Sequence, residues 1–215
     1  MKQTVIRAIE EHKIIAIVRG VAQDKLIPLT QALYDGGIRL IELTFSADGS
    51  ISDEQTAARI RLLAKQFAGQ MLVGAGTVLT KQQVALVDQA GGMFAISPNT
   101  DEDVIHACNS RGLVSIPGAF TPTEIVTAHR VGADFVKLFP VSDLGHKYIS
   151  AVKAPLPHIR LLAVGGVDET NIANYLQAGA CGAGVGGNLV NRKWVEAGDF
   201  NKITQVAQQL AAAVK

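Results

Sequence analysis

Cysteine is scarce in this chain: its 215 residues hold two, Cys108 and Cys181. Two are too few for a disulfide framework, and both read as small apolar fillers. An excess of one charge is missing too. The net charge is +1 with no basic block, so the chain lacks the electrostatic footprint a nucleic acid needs. No apolar run approaches the ~20 residues of a membrane-spanning helix. The start Met1-Lys2-Gln3-Thr4 leads into an amphipathic pattern and not a signal peptide. The expectation is a soluble, cytoplasmic protein with neither nucleic acid nor membrane as partner. The five histidines, His12, His106, His129, His146 and His158, show no zinc-type spacing. No carboxylate cluster reads as a metal cage either, so neither metal nor cofactor is expected. The Gly-x-Ser-x-Gly elbow of a serine hydrolase is absent. Aromatics make up 5% of the chain, and Trp194 and Tyr148 read as packing residues.

What is present is apolar: 48% hydrophobic residues against 18% charged, enough for a large core. Short β-rich runs alternate with longer helical patterns from end to end, the signature of parallel βα units. The predicted strands are 14–18, 40–44, 71–75, 94–97, 113–117, 135–138, 161–164 and 181–185. Between them apolar residues recur at helical spacing, as in Leu26, Leu29, Leu33 and in Ile60, Leu63, Phe67. Small-residue stops such as Gly36-Gly37, Gly91-Gly92, Gly112, Gly132 and Gly179 precede the next strand, where a helix end takes the left-handed conformation. Thr121-Pro122-Thr123-Glu124 and Asp168-Glu169-Thr170-Asn171 carry helix-start signals. The predicted fold is α/β, a TIM (β/α)8 barrel forming one domain over residues 1–215, with an extra N-terminal helix within residues 1–13. An open doubly wound sheet is the competing architecture. It calls for an early phosphate loop, and none is there.

A barrel of this type places its active site at the C-terminal ends of its strands. Lys137 stands there, in the otherwise apolar run Phe135-Val136-Lys137-Leu138-Phe139-Pro140. A buried lysine keeps its charge paired or gives it up. A neutral amine is a nucleophile for ketones, which opens Schiff-base chemistry. Glu42 repeats the oddity in Leu40-Ile41-Glu42-Leu43-Thr44, where Glu42 and Thr44 share one face. The plain alternative is a structural Glu42–Lys137 ion pair, a poor stability device because desolvating both ions costs about as much as their attraction returns. A lysine that forms an imine beside a carboxylate that moves protons is the preferred reading. The other strand ends are Arg19, Gly74-Ala75-Gly76-Thr77, Ser97-Pro98-Asn99, Pro117-Gly118, Val164-Gly165-Gly166 and Gly184-Val185-Gly186-Gly187-Asn188. The last two glycine-rich ends suggest close backbone approach to a phosphate. Gly182 to Gly187 also matches G-x-G-x-x-G, but the motif closes the strand series instead of opening a dinucleotide fold.

Together these residues resemble the KDPG/KHG (2-keto-3-deoxy-6-phosphogluconate / 4-hydroxy-2-oxoglutarate) aldolase family. The likeness rests on Ile41-Glu42-Leu43-Thr44, Gly74-Ala75-Gly76-Thr77-Val78, Ile96-Ser97-Pro98, Ile116-Pro117-Gly118, Val136-Lys137-Leu138-Phe139-Pro140 and Gly165-Gly166-Val167, in that order. The resemblance implies a class I aldolase, usually a homotrimer, that needs no metal. The expected substrate is a small 2-keto acid, 2-keto-3-deoxy-6-phosphogluconate and/or 4-hydroxy-2-oxoglutarate. It is cleaved to pyruvate and glyceraldehyde 3-phosphate or glyoxylate, with the 6-phosphogalactonate epimer as the alternative substrate. The resemblance puts the imine on Lys137, acid/base work on Glu42, the pyruvyl carboxylate at Thr77, and the distal phosphate at Gly165-Gly166 and Gly186-Gly187. Thr44, Pro98, Phe139 and Val164 complete the expected substrate-binding set, with Phe139 an apolar wall beside the imine. The chain departs from the best-known members at Ser46, where they carry arginine, at Val164, where they carry threonine, and at Gly187, where they carry serine. Arg19 is expected to supply the missing positive charge. The Val164-Gly165-Gly166 and Ser97-Pro98-Asn99 stretches look more like the branch acting on the 6-phosphogalactonate epimer. A phosphosugar isomerase or epimerase, with Glu42 as base, and a non-catalytic phosphometabolite-binding barrel are the alternatives from other classes.

Overall fold

Val5, Ile6 and Ile9 fall on one face of the first segment. In the structure, a computed structural model describing residues 2–215, Lys2–His12 forms helix α1 with all three buried. They pack on Ile15, Leu40, Phe94, Val114, Phe135 and Leu162, residues near the beginnings of the strands. The extra helix therefore plugs the end of the barrel opposite the expected active site.

The strands are β1 (Ile14–Val18), β2 (Leu40–Thr44), β3 (Leu72–Gly76), β4 (Phe94–Ile96), β5 (Val114–Ile116), β6 (Gly118–Ala119), β7 (Val136–Leu138), β8 (Leu161–Val164) and β9 (Gly182–Val185). All neighbouring pairs are parallel, in the order β5-β4-β3-β2-β1-β9-β8-β7-β6. Strands covered on both faces read as continuous apolar runs, and β1 and β2 do so apart from Glu42 and Thr44.

The nine strands correct one prediction. The expected fifth strand, 113–117, is two short strands separated by Pro117, which has no N–H to give the ladder. β5 pairs back to β4, while β6 pairs onward to β7. Pro117 still contributes its carbonyl, which accepts from Lys137 N at 2.8 Å. The barrel thus closes through an interrupted strand, and the eightfold plan holds.

Helices α2 (Gln23–Asp35), α3 (Asp53–Gln66), α4 (Lys81–Gln89), α5 (Glu102–Ser110), α6 (Pro122–Val131), α7 (Gly145–Lys153), α8 (Ile172–Gln177), α9 (Arg192–Ala197) and α10 (Phe200–Ala213) cover the outside. Leu26, Leu29, Leu33, Ile60 and Leu63 face inward and join Ile41, Leu43, Val73 and Ala75 in the main core. The sequence punctuation works largely as expected. Thr121 and Glu124 form a capping box with Pro122 in the first turn of α6, and Gly37, Gly91, Gly112, Gly132 and Gly179 all take positive φ. The Asp168 signal behaves differently. Asp168 Oδ1 accepts from Thr170 N at 2.9 Å, and Asn171 Oδ1 accepts from Asp168 N at 3.0 Å. These bonds make a turn first and delay α8 to Ile172. No helix among the described residues is long and apolar enough to cross a membrane.

If α1 is part of the core, Ile9→Ala should lower unfolding stability by about 2–4 kcal/mol, the usual loss for such a truncation at a fully buried site. Urea denaturation measures this. A loss under about 0.5 kcal/mol, the scale of ordinary surface changes, would make α1 an appendage.

Candidate active site

Alternation along β2 sends Ile41 and Leu43 into the main core with the helices, and Leu40 into the barrel interior. Glu42 therefore points inward, level with Ile17 on β1 and Gly74 on β3. Its carboxyl group has room because β3 ends in glycine. A Cβ on Gly76 would lie 2.7 Å from Glu42 Cδ, so an alanine there would force the carboxyl group to shift. Glu42 is 2% exposed, and its Oε2 is buried without a hydrogen-bond partner. Burial pushes its pKa up to about 7, against the pull of the positive charges on Lys137 and Arg19.

Lys137 enters from the other side of the interior. Val136 and Leu138 on β7 are buried in the main core, so the lysine between them faces inward. Its Nζ lies 4.6 Å from the centroid of the Phe139 ring. Burial lowers its pKa most, opposed by Glu42 and assisted by Arg19. Among the described residues Lys137 and Glu42 form no direct ion pair, so the structural-pair alternative is not what the barrel holds. Beneath both side chains lies an apolar floor that includes Ile15, Ile96, Ile116 and Leu162.

Between the two side chains opens a cavity of about 290 Å³. It brings together Arg19, Glu42, Thr77, Pro98, Lys137, Phe139, Val164, Gly165, Gly166, Gly186 and Gly187 from the predicted set. Thr44 is not among its walls. It lines an adjoining cavity with Ser46, Asp48 and Ser50, and Arg19 borders both. Ser46, standing where an arginine was expected in the family pattern, donates instead to the carboxylate of Asp48. A larger cavity, about 570 Å³, lies beside Lys13, Gly37 and Gln208, at the plugged end of the barrel. Volume therefore does not mark the site. The paired oddities of charge do.

The rim carries a guanidinium and glycine-rich backbone. Arg19 Nη2 donates to Thr77 Oγ1 at 3.2 Å, and Thr77 itself has φ 56°, a conformation a β-branched residue rarely adopts. Gly165 and Gly166 have φ 104° and 72°, and a Cβ on Gly166 would meet Ser142 Cβ at 2.8 Å. Gly187 has no atom near where a Cβ would point, leaving backbone open to a ligand. Asn188 joins these two loops, its Nδ2 donating to Val167 O at 3.0 Å, while Asn171 Nδ2 donates to Gly166 O at 2.9 Å.

Four lining residues, Ile17, Val167, Gly184 and Asn188, stand outside the expected substrate-binding set, although the last three belong to strand ends or motifs noted in the sequence. Two carried a usable signal. Ile17 lies on the inward face of β1 by alternation, and Asn188 directly follows the glycine pair. Chemically, the cavity offers an amine with weakened hold on its proton, a carboxyl group titrating near neutrality and a glycine-lined distal end. Among the described residues no cluster of three metal-ligating side chains exists.

A family model for KDPG and KHG aldolase matches residues 5–206. The probable 2-dehydro-3-deoxy-6-phosphogalactonate aldolase of Rhizobium meliloti (strain 1021) is 37% identical over 193 residues, covering 89% of this chain and 88% of that one. The 2-dehydro-3-deoxy-phosphogluconate aldolase of Treponema pallidum (strain Nichols) is 34% identical over 210 residues, covering 96% and 95%. The KDPG aldolase of Legionella pneumophila, solved with pyruvate captured as a covalent carbinolamine intermediate, superposes with a TM-score of 0.85 at 25% identity, covering 98% of each chain. With a closed barrel, an inward lysine and glutamate, and a match spanning nearly its whole length, the chain belongs to the KDPG and KHG aldolase family.

Proposed function

We propose that this chain is a class I aldolase that cleaves a 2-keto-3-deoxy-6-phospho sugar acid to pyruvate and glyceraldehyde 3-phosphate, with Lys137 as the imine-forming residue. One observation carries the reading: an amine and a carboxyl group, both perturbed by burial, face one cavity without neutralising each other.

In this mechanism neutral Lys137 attacks the C2 ketone of the substrate. Glu42 passes a proton to the carbinolamine oxygen, water leaves, and a protonated imine forms. That imine draws electrons from the C3–C4 bond while Glu42, directly or through a water, takes the C4 hydroxyl proton. The bond breaks, the aldehyde departs, and an enamine remains on Lys137. Protonation at C3 and hydrolysis release pyruvate and restore the amine. Burial favours the neutral amine before attack. The face of the Phe139 ring, 4.6 Å from the nitrogen, favours the cationic imine once it has formed. The hydroxyl of Thr77 and the guanidinium of Arg19 receive the keto-acid carboxylate, and the backbone at Gly165-Gly166 and Gly186-Gly187 receives the phosphate. Pro98 and Val164 line the path of the carbon chain.

Of the two C4 epimers, the galactonate form is favoured by the Val164-Gly165-Gly166 and Ser97-Pro98-Asn99 stretches and by the R. meliloti relative. Glyoxylate release from 4-hydroxy-2-oxoglutarate uses the same steps without the phosphate contacts. The family resemblance extends the proposal to a homotrimer in the cytoplasm.

A coupled pyruvate-release assay across the two phosphorylated epimers and 4-hydroxy-2-oxoglutarate tests the reading. Turnover of at least one is expected, with the phosphogalactonate epimer fastest. Pyruvate from none of the three would end the aldolase assignment.

Replacing Glu42 should separate activity from stability. Glu42→Gln is expected to lower kcat roughly a hundredfold or more, the scale of general acid–base help, while pyruvate still binds. In the folded protein the acid titrates near 7 against an ordinary 4.5, so the native state holds this proton over a range where the unfolded chain has lost it. Native stability from this group therefore falls as pH rises from about 4.5 to about 7, then levels off. The variant should be more stable than the parent by about 1–3 kcal/mol at pH 8, and the gain should fade below pH 4.5. Unchanged turnover, or a gain independent of pH, would reduce Glu42 to a packing residue.

Arg19→Ala should cut kcat/KM by at least about tenfold through loss of a charge-assisted contact to an anionic substrate. Intact efficiency would remove Arg19 from the substrate site.

A further inference from the structure

Thr77 holds a left-handed backbone at the rim of the cavity, with φ 56°. A β-branched residue does not stay in that region unless its surroundings hold it there. The residues that follow it are clamped from several sides. Val78 N donates to Ile96 O at 3.1 Å, and Val78 O accepts from Ser97 Oγ at 2.7 Å. Leu79 N donates to Gln83 Oε1 at 2.7 Å. Gln83 is held in turn, its Nε2 donating to both carboxylate oxygens of Asp53 at 3.1 and 3.2 Å. Ser97 is 3% exposed and Gln83 9% exposed. Neither side chain is among the walls of the cavity, so neither touches substrate in the proposed mechanism.

We propose that Ser97 and Gln83 are positioning residues that hold residues 77–79 in the conformation which presents the Thr77 hydroxyl to the keto-acid carboxylate. The inference rests on the reading of Thr77 as the carboxylate's partner. Ser97 has an additional reason to sit where it does. It immediately precedes Pro98, a wall of the cavity, and its own N–H donates to Ile116 O at 3.1 Å. It is thus fixed to the next strand while it holds the carbonyl of Val78. The strain at Thr77 is sustained by a chain of bonds running from α3 through α4, and separately from β5 through Ser97. An oriented hydroxyl binds a carboxylate without first losing rotational freedom, which is what preorganisation contributes.

The test is a double-mutant cycle in the condensation direction, with pyruvate varied against saturating glyceraldehyde 3-phosphate. Thr77→Ala should raise the KM for pyruvate. Ser97→Ala should raise it roughly five- to tenfold, one hydrogen bond's worth, with kcat within about twofold. Ser97→Thr, which keeps the hydroxyl, should restore the parent value. On the Thr77→Ala background, Ser97→Ala should add less than about twofold, because the hydroxyl it positions is gone. A full multiplicative effect on that background overturns the inference while leaving the carboxylate reading intact. So does an unchanged KM in Ser97→Ala. An unchanged KM in Thr77→Ala overturns the carboxylate reading and the inference with it. Should Ser97→Ala fail to fold, the same cycle with Gln83→Met decides by the same outcomes.

Discussion

Two ionisable groups, Glu42 and Lys137, share one cavity without touching, and the rest of the molecule is arranged around that fact. A contact ion pair would have satisfied Glu42 and Lys137 electrostatically and left Lys137 protonated and inert. Separation keeps each group under the influence of burial. The carboxyl group titrates about 7, and the amine loses part of its hold on its proton. Opposite charges so held draw each other back toward ionisation, but burial dominates both. Charge unsatisfied in the resting protein is what a bound keto acid can use.

The barrel supplies what this arrangement requires. Helix α1 seals the far end with Val5, Ile6 and Ile9, so the cavity opens from one side only and its floor stays apolar. Gly76 leaves space for the Glu42 carboxyl group that any side chain would fill. The Phe139 ring sits over the amine. The Pro117 carbonyl accepts the backbone N–H of Lys137, fixing the strand that carries the nucleophile. Each element constrains the position of one of two side chains.

Much of this was legible before any coordinates. A lysine and a glutamate inside apolar strands break the local pattern, and such breaks mark function. Alternation along β2 and β7 then places both in the interior without further information. Three features were not legible. The run 113–117 shows the proline that interrupts the ladder, but not that pairing resumes beyond it at Gly118, onto the next strand. Thr44 shares the face of Glu42, yet it is the last residue of β2 and borders a separate hollow beyond Arg19, with Ser46, Asp48 and Ser50. The strain at Thr77 is invisible in sequence because threonine does not advertise a left-handed backbone. It depends on Ser97, which the sequence marks only as part of the Ile96-Ser97-Pro98 stretch, and on Gln83, which no pattern singles out. Side chains that conflict with their surroundings announce themselves in sequence, whereas those that hold others in place come to light only through their contacts.

The central claim is that Lys137 bonds covalently to the keto acid, and reductive trapping tests it most directly. The protein is incubated with pyruvate and borohydride, digested, and mapped by mass spectrometry. The account predicts a reduced pyruvyl adduct on Lys137 and on no other lysine, formed faster as pH rises and the amine deprotonates. An unmodified Lys137 under conditions where the protein releases pyruvate from its substrate would contradict it.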